Sequence, residues 1–415
     1  MSFSEWREIK LGALVEVSSS KRIYAKEYVD SGIPFYRSKE IIEKSKGNDV
    51  STELYISKER FNELKNKFGA PSLGDILLTS VGTLGVPYIV RKEEFYFKDG
   101  NLTWIKHFKD NCHNKFIFYW LLSPDGVNQI NTRCIGSTQK ALTIDTLKKF
   151  EIKIPPFEEQ KAITQILSTL DDKIEVNNQI NKTLENMAQA IFKQWFVDFE
   201  FPNEDGEPYK SSGGEMVESE LGMIPKGWEV KELGEIIDIH DSKRIPLSKN
   251  EREKREKIYP YYGAASLMDY VDKFIFDGIY VLLGEDGTVV NEDGTPVLQY
   301  VWGKFWVNNH AHVLTGRLED SVNFLYILLK NINIRSAVTG AVQLKINQKN
   351  LCSIKIALPK DNTLISKYIS TTNHIFHNYR VASEENQVLT KLRGTLLPKL
   401  MSGEIRVPLD EEGDA

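Results

Sequence analysis

Cysteine is scarce. The 415-residue chain has three, Cys112, Cys134 and Cys352, none in a Cys-x-x-Cys pair. This excludes the disulfide framework of a small secreted fold and a cysteine-rich structural zinc site, and it points to a reducing cytoplasm. Long apolar runs are also missing. The longest unbroken one, Phe116 to Leu122, has seven residues, where a membrane helix needs about 20. Residues Met1 to Trp6 open with polar side chains, unlike a signal peptide. No Gly-Lys-Ser/Thr phosphate loop occurs, which removes nucleotide hydrolysis as a reading, and no glycine-rich cofactor loop follows a strand. No low-complexity tract marks disorder or a fibre.

Charge of one sign is weak overall, a net -5, but it is segregated. Residues 1–155 carry +5, 156–203 carry -4, 204–224 carry -5, 225–359 are neutral and 360–415 carry -1. A basic first domain could face a polyanion while the acidic segments stay away, because such fields act over about 8 Å in physiological salt.

What the sequence does have is an internal repeat. Trp6-Arg7-Glu8-Ile9-Lys10-Leu11-Gly12 returns as Trp228-Glu229-Val230-Lys231-Glu232-Leu233-Gly234. Pro34-Phe35-Tyr36 returns as Pro260-Tyr261-Tyr262. Gly74 to Leu78 matches Gly278 to Leu282, and Gly82-Thr83 matches Gly287-Thr288. Phe118 to Leu122 pairs with Leu325 to Leu329. Gly136, Gln139, Leu147 and Ile152-Lys153-Ile154 pair with Gly340, Gln343, Leu351 and Ile354-Lys355-Ile356. The order never breaks, and the offsets drift as loop insertions would make them.

Each copy has two parts. About 150 residues of β-branched and aromatic runs, broken by glycine and proline, predict a twisted sheet with one clear helix, at 115–122 and 323–330. A long helix follows. In the first copy Ile163, Leu167, Leu170, Ile174, Leu184, Met187 or Ala188, Ile191 and Trp195 form one stripe, with Asn177, Asn178 and Asn181 in its middle. In the second the stripe is Ile365, Ile369, Thr372, Phe376, Tyr379, Leu389, Leu392, Leu396 and Leu400. The predicted fold class is α+β: two similar recognition domains separated by two long helices packed as an antiparallel coiled coil, with a pseudo-two-fold repeat. About 40 residues of helix make a rod of roughly 60 Å. The alternative, each helix lying on its own domain, stays open at this point. Expected boundaries are 1–155 for the first domain, 156–200 for the first helix, 201–359 for linker and second domain, 360–405 for the second helix and 406–415 for a tail.

Catalytic patterns are incomplete. Ile154-Pro155-Pro156-Phe157 looks like an amino-methyltransferase motif, but isoleucine cannot accept a hydrogen bond from a target amine. Asp125 with Glu151-Ile152-Lys153 mimics a metal-dependent nuclease, yet the second copy reads Ser353-Ile354-Lys355. His310 and His312, two apart on a predicted strand, lack a third metal ligand nearby. Twin globules on a helical spacer suit a bivalent reader, and DNA, whose groove returns every 34–36 Å or so, suits such a spacer.

Ile154-Pro155-Pro156-Phe157-Glu158-Glu159-Gln160-Lys161-Ala162-Ile163, leading into Leu170-Asp171-Asp172-Lys173-Ile174, resembles the central region of specificity subunits of Type I restriction-modification systems. So do Ile191 to Phe199, Ile224-Pro225-Lys226-Gly227-Trp228 and Gly136-Ser137-Thr138-Gln139. The resemblance covers the full chain. The second helix departs from it, with Leu358-Pro359-Lys360-Asp361 at its entry, which leaves its start open. The resemblance implies that each globule is a target recognition domain reading one half of a bipartite double-stranded DNA target, and that the helices set the gap. It implies partners: two modification subunits that bind S-adenosylmethionine and flip adenines, and ATP-driven, Mg-dependent restriction subunits. This chain itself would then hold no cofactor and no catalytic residue, in a cytoplasmic, membrane-free setting. The helix ends Phe192, Trp195, Phe196, Leu396, Leu397 and Leu400 are candidate partner interfaces.

Base reading needs donors and acceptors on loops. In the first domain the candidates are Lys21, Arg22, Arg37, Ser38, Lys39, Thr79, Ser80, Asn101, Thr138, Gln139 and Lys140. In the second they are Lys243, Arg244, Tyr261, Tyr262, Glu285, Asp286, His310, His312, Gln343 and Lys345, where an acid could accept from cytosine N4. A self-contained methyltransferase or nuclease, or a coiled-coil tether that ignores DNA, are the competing readings.

Overall fold

The computed structural model describes residues 5–48, 50–136, 140–340 and 343–408. It divides into two compact units, Met1–Asn178 with Glu384–Ala415, and Gln179–Ser383, so the division falls inside both long helices.

In the first unit, strand Arg7–Lys10 pairs antiparallel with Glu151–Ile154 and closes the globule at its entry and exit. A four-stranded sheet has the order Glu16–Ser18, Leu102–Lys106, Ile76–Thr79, Pro87–Ile89. A second sheet holds Tyr28–Val29, Tyr55–Ile56, Ile33–Tyr36 and Tyr96–Phe97, the last two parallel. The second unit repeats this plan. Trp228–Glu232 pairs with Lys355–Pro359, and one six-stranded sheet runs Ile237–Ile239, Ala311–Gly316, Phe276–Gly284, Leu298–Val307, Tyr259–Tyr262, Leu267–Val271. The single long strand Leu298–Val307 does the work of two short ones: it pairs antiparallel with Phe276–Gly284 and, further on, parallel with Tyr259–Tyr262.

Hydrogen-bond register corrects two of the sequence matches. Ser80 N donates to Asn101 O and Leu142 N to Ser80 O, while Glu285 N donates to His310 O and Ile346 N to Glu285 O. Ser80 and Glu285 are therefore equivalent, an offset of 205, and the preceding strand is one residue out of step with the match of Gly74 to Gly278. A one-residue slip exchanges the faces of a strand, so the correction changes which side chains are core. Similarly Lys10 pairs with Glu151 and Glu232 with Lys355, which makes Ile152 and Ile154 equivalent to Ile356 and Leu358. All four are buried.

The expected domain helices are present as Asn114–Leu122 and Val322–Lys330. Others were not foreseen. Lys58–Phe68 is capped by Ser57, whose hydroxyl accepts from Arg60 N, and buries only Phe61 and Leu64. Pro124–Arg133 starts with Ser123 as cap and proline at its first position, where the missing N–H has no helical partner to lose. Ser38–Ser45 is a third. Mostly polar, short helices leave little periodic signal between the strand runs.

The long helices are Phe157–Phe192, continued by a wider turn at Lys193–Val197, and Thr363–Ser402. Asp361 Oδ1 accepts from Thr363 N, so the second helix starts there without a Pro-Pro entry. Within each unit the two helices run antiparallel. In the first, Glu159 pairs with Arg406, Asp171 with Arg393, and Lys173 with Glu385. In the second, Asn181 donates to Ser383 Oγ and Tyr368 OH donates to Ala188 O. Each helix also packs on its own globule: Ile163 and Leu167 join the first core with Leu400 and Met401, and Ala188 and Phe192 join the second with Ile365 and Tyr368. At the position open between Met187 and Ala188 it is Ala188 that is buried, and the second stripe differs from expectation at Leu392, which is exposed.

The entry motif of the first helix is a structural staple. Gln160, buried, donates from Nε2 to the carbonyls of Asn111 and Pro155 and accepts His113 N at Oε1. Glu159, also buried, takes Arg406 in two hydrogen bonds. The polar middle of the stripe is satisfied across the pair: Asn177, 1% exposed, donates to Glu385 Oε2 at 2.7 Å and Asn386 Oδ1 at 3.0 Å. Asn177→Ala removes both bonds from the seam and lowers stability against urea by about 1 kcal/mol, the net worth of such bonds when an exposed acceptor like Glu385 returns to water; an unchanged midpoint contradicts this account of the helix pair.

Candidate nucleic-acid interface

In the first unit the loops after several strands are tied together at one end of the sheets. The Asn101 carbonyl accepts from Ser80 N at 2.8 Å and from Ser38 Oγ at 3.3 Å. Lys98 N donates to Tyr36 O, Ser20 Oγ to Phe97 O, and Lys21 N to the Tyr96 hydroxyl. Val81 bridges Ala141. This brings Lys21, Arg22, Lys39, Asn101 and Lys140, all exposed, onto one rim. Gly82 and Gly100 stand there with φ of +79° and +76° and open space where a Cβ would be, so the backbone itself is approachable.

Several candidates are not available for reading. Thr79 is fully buried and its hydroxyl accepts Val86 N. Ser80 is buried against Thr103 Oγ1. Arg37 is held by Glu40 at 2.7 Å in the cap of Ser38–Ser45, because Glu40 is itself buried and needs the charge. Ser38, half-buried, donates to a backbone carbonyl, and Arg22 is paired with Asp99 at 2.8 Å though still exposed. Thr138 and Gln139 lie outside the described residues.

In the second unit the equivalent rim carries Lys243, His310, Gln343 and Lys345, all exposed, with half-buried Asp286 accepting from His310 Nδ1 at 2.7 Å. Tyr261 is 1% exposed and its hydroxyl accepts Leu247 N, while Tyr262 packs edge-on to Phe305, where burial pushes its phenol up. Tyr261 is thus spent inside the unit, and Tyr262 is half-buried.

Arg244, Glu285 and His312 form a network beneath that rim. Arg244 Nη1 donates to Glu285 Oε2 at 2.7 Å and to Ala311 O at 2.6 Å, and Nη2 lies 3.4 Å from Asp241 Oδ2. His312, 1% exposed, places Nδ1 2.6 Å from Asp241 Oδ2 and Nε2 2.9 Å from Ile346 O. Asp241 also accepts Val313 N and Gln348 Nε2. Burial pushes the Asp241 carboxyl up, but the bond and charge of His312, with those two donors, hold it below its ordinary value. The expectation that no third metal ligand lies near the histidine is corrected here, since donor atoms of Asp241, Glu285 and His312 fall within 4.8 Å of one another. The two carboxylates already face two cations, Arg244 and Lys345, whose Nζ lies 3.4 Å from Glu285 Oε1, and both imidazole nitrogens are engaged, so the donor set is that of an internal ion-pair network. Asp241 was overlooked because one acid in His240-Asp241-Ser242 carries no local signal.

The nuclease-like carboxylates are likewise engaged. Asp125 Oδ2 accepts Trp120 Nε1 and Gln129 Nε2, and Glu151 faces Arg133 at 3.5 Å. The proposed partner interfaces are corrected as well. Phe192, Trp195, Phe196 and Leu400 are buried in the cores of their own units, and Leu396 and Leu397 pack half-buried on the first core. Phe192 and Phe196 stack with centroids 5.0 Å apart and meet Tyr368 and Phe324. The exposed apolar side chains of the helices are others: Ile166, Val176, Val388 and Leu392 in the first unit, Ile180, Met187 and Val381 in the second.

Residues 3–186 and 225–386 each match the family model described as Type I restriction modification DNA specificity domain. The chain belongs to this family. Among curated proteins it is similar to the Type I restriction enzyme MjaIX specificity subunit of Methanocaldococcus jannaschii, 27% identical, with 97% of this chain and 94% of that one covered. It is also similar to the Type I restriction enzyme HindI specificity subunit of Haemophilus influenzae, 27% identical over 70% of this chain and 77% of that one. Its fold is that of the crystallised S subunit of a Type I restriction-modification system from M. genitalium, with a TM-score of 0.58 at 17% identity and 96% of each chain covered. The two matches of the specificity-domain model fall one on each copy of the repeat. No helix among the described residues is long and apolar enough to cross a membrane.

The Asp241 network sets an acid limit for the second unit. A carboxyl held below its ordinary value stabilises the fold above about pH 4, and that contribution is lost as pH falls through the lowered value. Asp241→Asn removes it: unfolding at neutral pH becomes easier by about 3 kcal/mol, with a flatter decline in acid. Urea midpoints between pH 7 and pH 3 read this out, and parallel curves for both proteins contradict it.

Proposed function

We propose that this member of the specificity-domain family is the non-catalytic, sequence-reading subunit of a Type I restriction-modification complex in the cytoplasm. Each unit reads one half of a bipartite double-stranded DNA target, and the paired helices set the gap. The observation that carries this reading is the repetition, within one chain, of the same strand order behind two solvent-facing rims, each copy matching a DNA specificity domain. Chemistry belongs to partners. Two modification subunits supply S-adenosylmethionine-dependent methylation, restriction subunits supply ATP- and Mg-dependent translocation and cleavage, and this chain contributes no catalytic residue and no cofactor site.

The readers are the exposed rim side chains Lys21, Lys39, Asn101 and Lys140 on the first unit, with Arg22 still exposed beside Asp99, and Lys243, His310, Gln343 and Lys345 on the second, with half-buried Asp286 against His310. Amide and imidazole groups suit base edges, while lysines suit phosphates. The exposed apolar side chains on the long helices, Val176, Ile180, Val381 and Val388 among them, are where the modification subunits dock.

Co-expression with a cognate modification subunit, followed by single-molecule sequencing of adenine methylation, reads the target directly. Four residues inserted in the first helix lengthen it by about 6 Å and move the half-sites apart by about two base pairs, with the bases of each half unchanged. An unaltered gap defeats the spacer role. Lys21→Ala and Lys39→Ala each lower the slope of log affinity against log salt by about one while leaving the recognised sequence intact. Filter binding over 50–200 mM salt decides this, and a changed target sequence would make these lysines base readers.

A further inference from the structure

A cleft of about 470 Å³ opens in the second unit where the helix Val322–Lys330 begins beside Thr363–Ser402. Its wall on the long helix is His374, His377 and Arg380, three residues apart and so on one face over two turns. Facing them are Asp320, Asn323 and Ile279. Both histidines are exposed; Arg380 is half-buried. No carboxylate lies within ion-pair distance of Arg380 among the described residues. Its Nη1 donates instead to the Tyr300 hydroxyl at 2.6 Å, which donates to Asn323 Oδ1 at 2.6 Å, and Asn323 Nδ2 reaches Asn373 Oδ1 at 3.3 Å. The hydroxyl orients the guanidinium but does not neutralise it.

A partly desolvated cation without a counter-charge is costly, and a guanidinium fork flanked by imidazoles and amides matches a tetrahedral oxyanion with several acceptor oxygens. We propose that this cleft binds a phosphate oxyanion, Arg380 making the charge-assisted contact and His374 and His377 closing over its outer oxygens. Resting on the DNA-reading role above, the source of that phosphate is the DNA backbone flanking the half-site read by this unit, because Ile279 and Asp320 lie at the other end of strands Phe276–Gly284 and Ala311–Gly316 from the rim residues Glu285 and His310. Asp320, the one acid lining the cleft, opposes the anion and tunes its affinity downward.

Inorganic phosphate titrated into the full chain carrying ¹³C-labelled histidine shifts the His374 and His377 resonances saturably, whereas chloride at equal ionic strength does not. Arg380→Gln weakens this binding about ten-fold, the size of one charge-assisted contact. Asp320→Asn strengthens it two-fold or more, and asparagine tolerates the left-handed backbone at this position, φ 56°, so folding is not at stake. Absence of saturable shifts, or phosphate affinity indifferent to both substitutions, overturns the site. In salt titrations of the chain on its target DNA, Arg380→Gln lowers the slope by about one. An unchanged slope with phosphate still bound assigns the cleft to free phosphate instead of the backbone. Loss of sequence-selective binding by the unsubstituted chain sinks the DNA-reading role and leaves the phosphate titration standing.

Discussion

The amide of Asn177 is buried between two helices and finds acceptors only on the other one. Shift either helix by a turn and that amide faces apolar side chains, at a cost of a few kcal/mol that no neighbouring contact offsets. The pairing of Asn177 with Glu385 and Asn386, reinforced by Asp171 with Arg393, therefore selects one register for the antiparallel pair. Polar groups in helical seams have this effect generally: they weaken the seam slightly and make its alignment unique. With alignment selected, Glu159 meets Arg406 and Ile163 meets the core that Leu400 enters.

The same economy explains the two rims. Each unit needs a strand-end surface whose supporting backbone is rigid while its outer side chains are free to differ. The first unit achieves this with neutral groups, Ser80 against Thr103 and the Asn101 carbonyl taking two donors. The second places a charged network, Asp241, Arg244, Glu285 and His312, at equivalent strand positions. A shared order of the four strands beneath the rim thus supports unlike rims, one bearing mostly cations and the other a mixture with Asp286 and His310. Such divergence is what two different half-sites require, since discrimination resides in a few outward groups and not in the sheet.

Much of the fold was legible because it was written twice. A repeat in constant order, a long stripe at helical spacing and β-branched runs between glycines are each redundant signals, and no single residue decides them. The site was less legible. Thr79, Ser80, Arg37, Tyr261, Arg244 and His312 carry the donors a reader needs, and all sit at loop or strand ends, yet each is engaged inside the fold: Arg37 by Glu40 one turn on, and Ser80, Arg244 and His312 by groups far away in sequence. Phe192, Trp195 and Phe196 showed the matching problem for apolar residues: a ring on a helix end looks the same whether its partner is Tyr368 of this chain or another protein.

From residues alone came the tandem α+β plan, the presence of two long amphipathic helices and the kind of surface a polyanion would need, because periodicity and composition act locally and survive without knowledge of neighbours. Tertiary structure alone decided the strand register, which differs from the best sequence match by one residue at Gly278, and the division of polar side chains into those that face solvent and those spent on internal partners. Burial depends on what packs from elsewhere in the chain, and hydrogen-bond partners 71 and 107 residues apart, as Asp241 is from His312 and Gln348, leave no mark on either segment taken by itself.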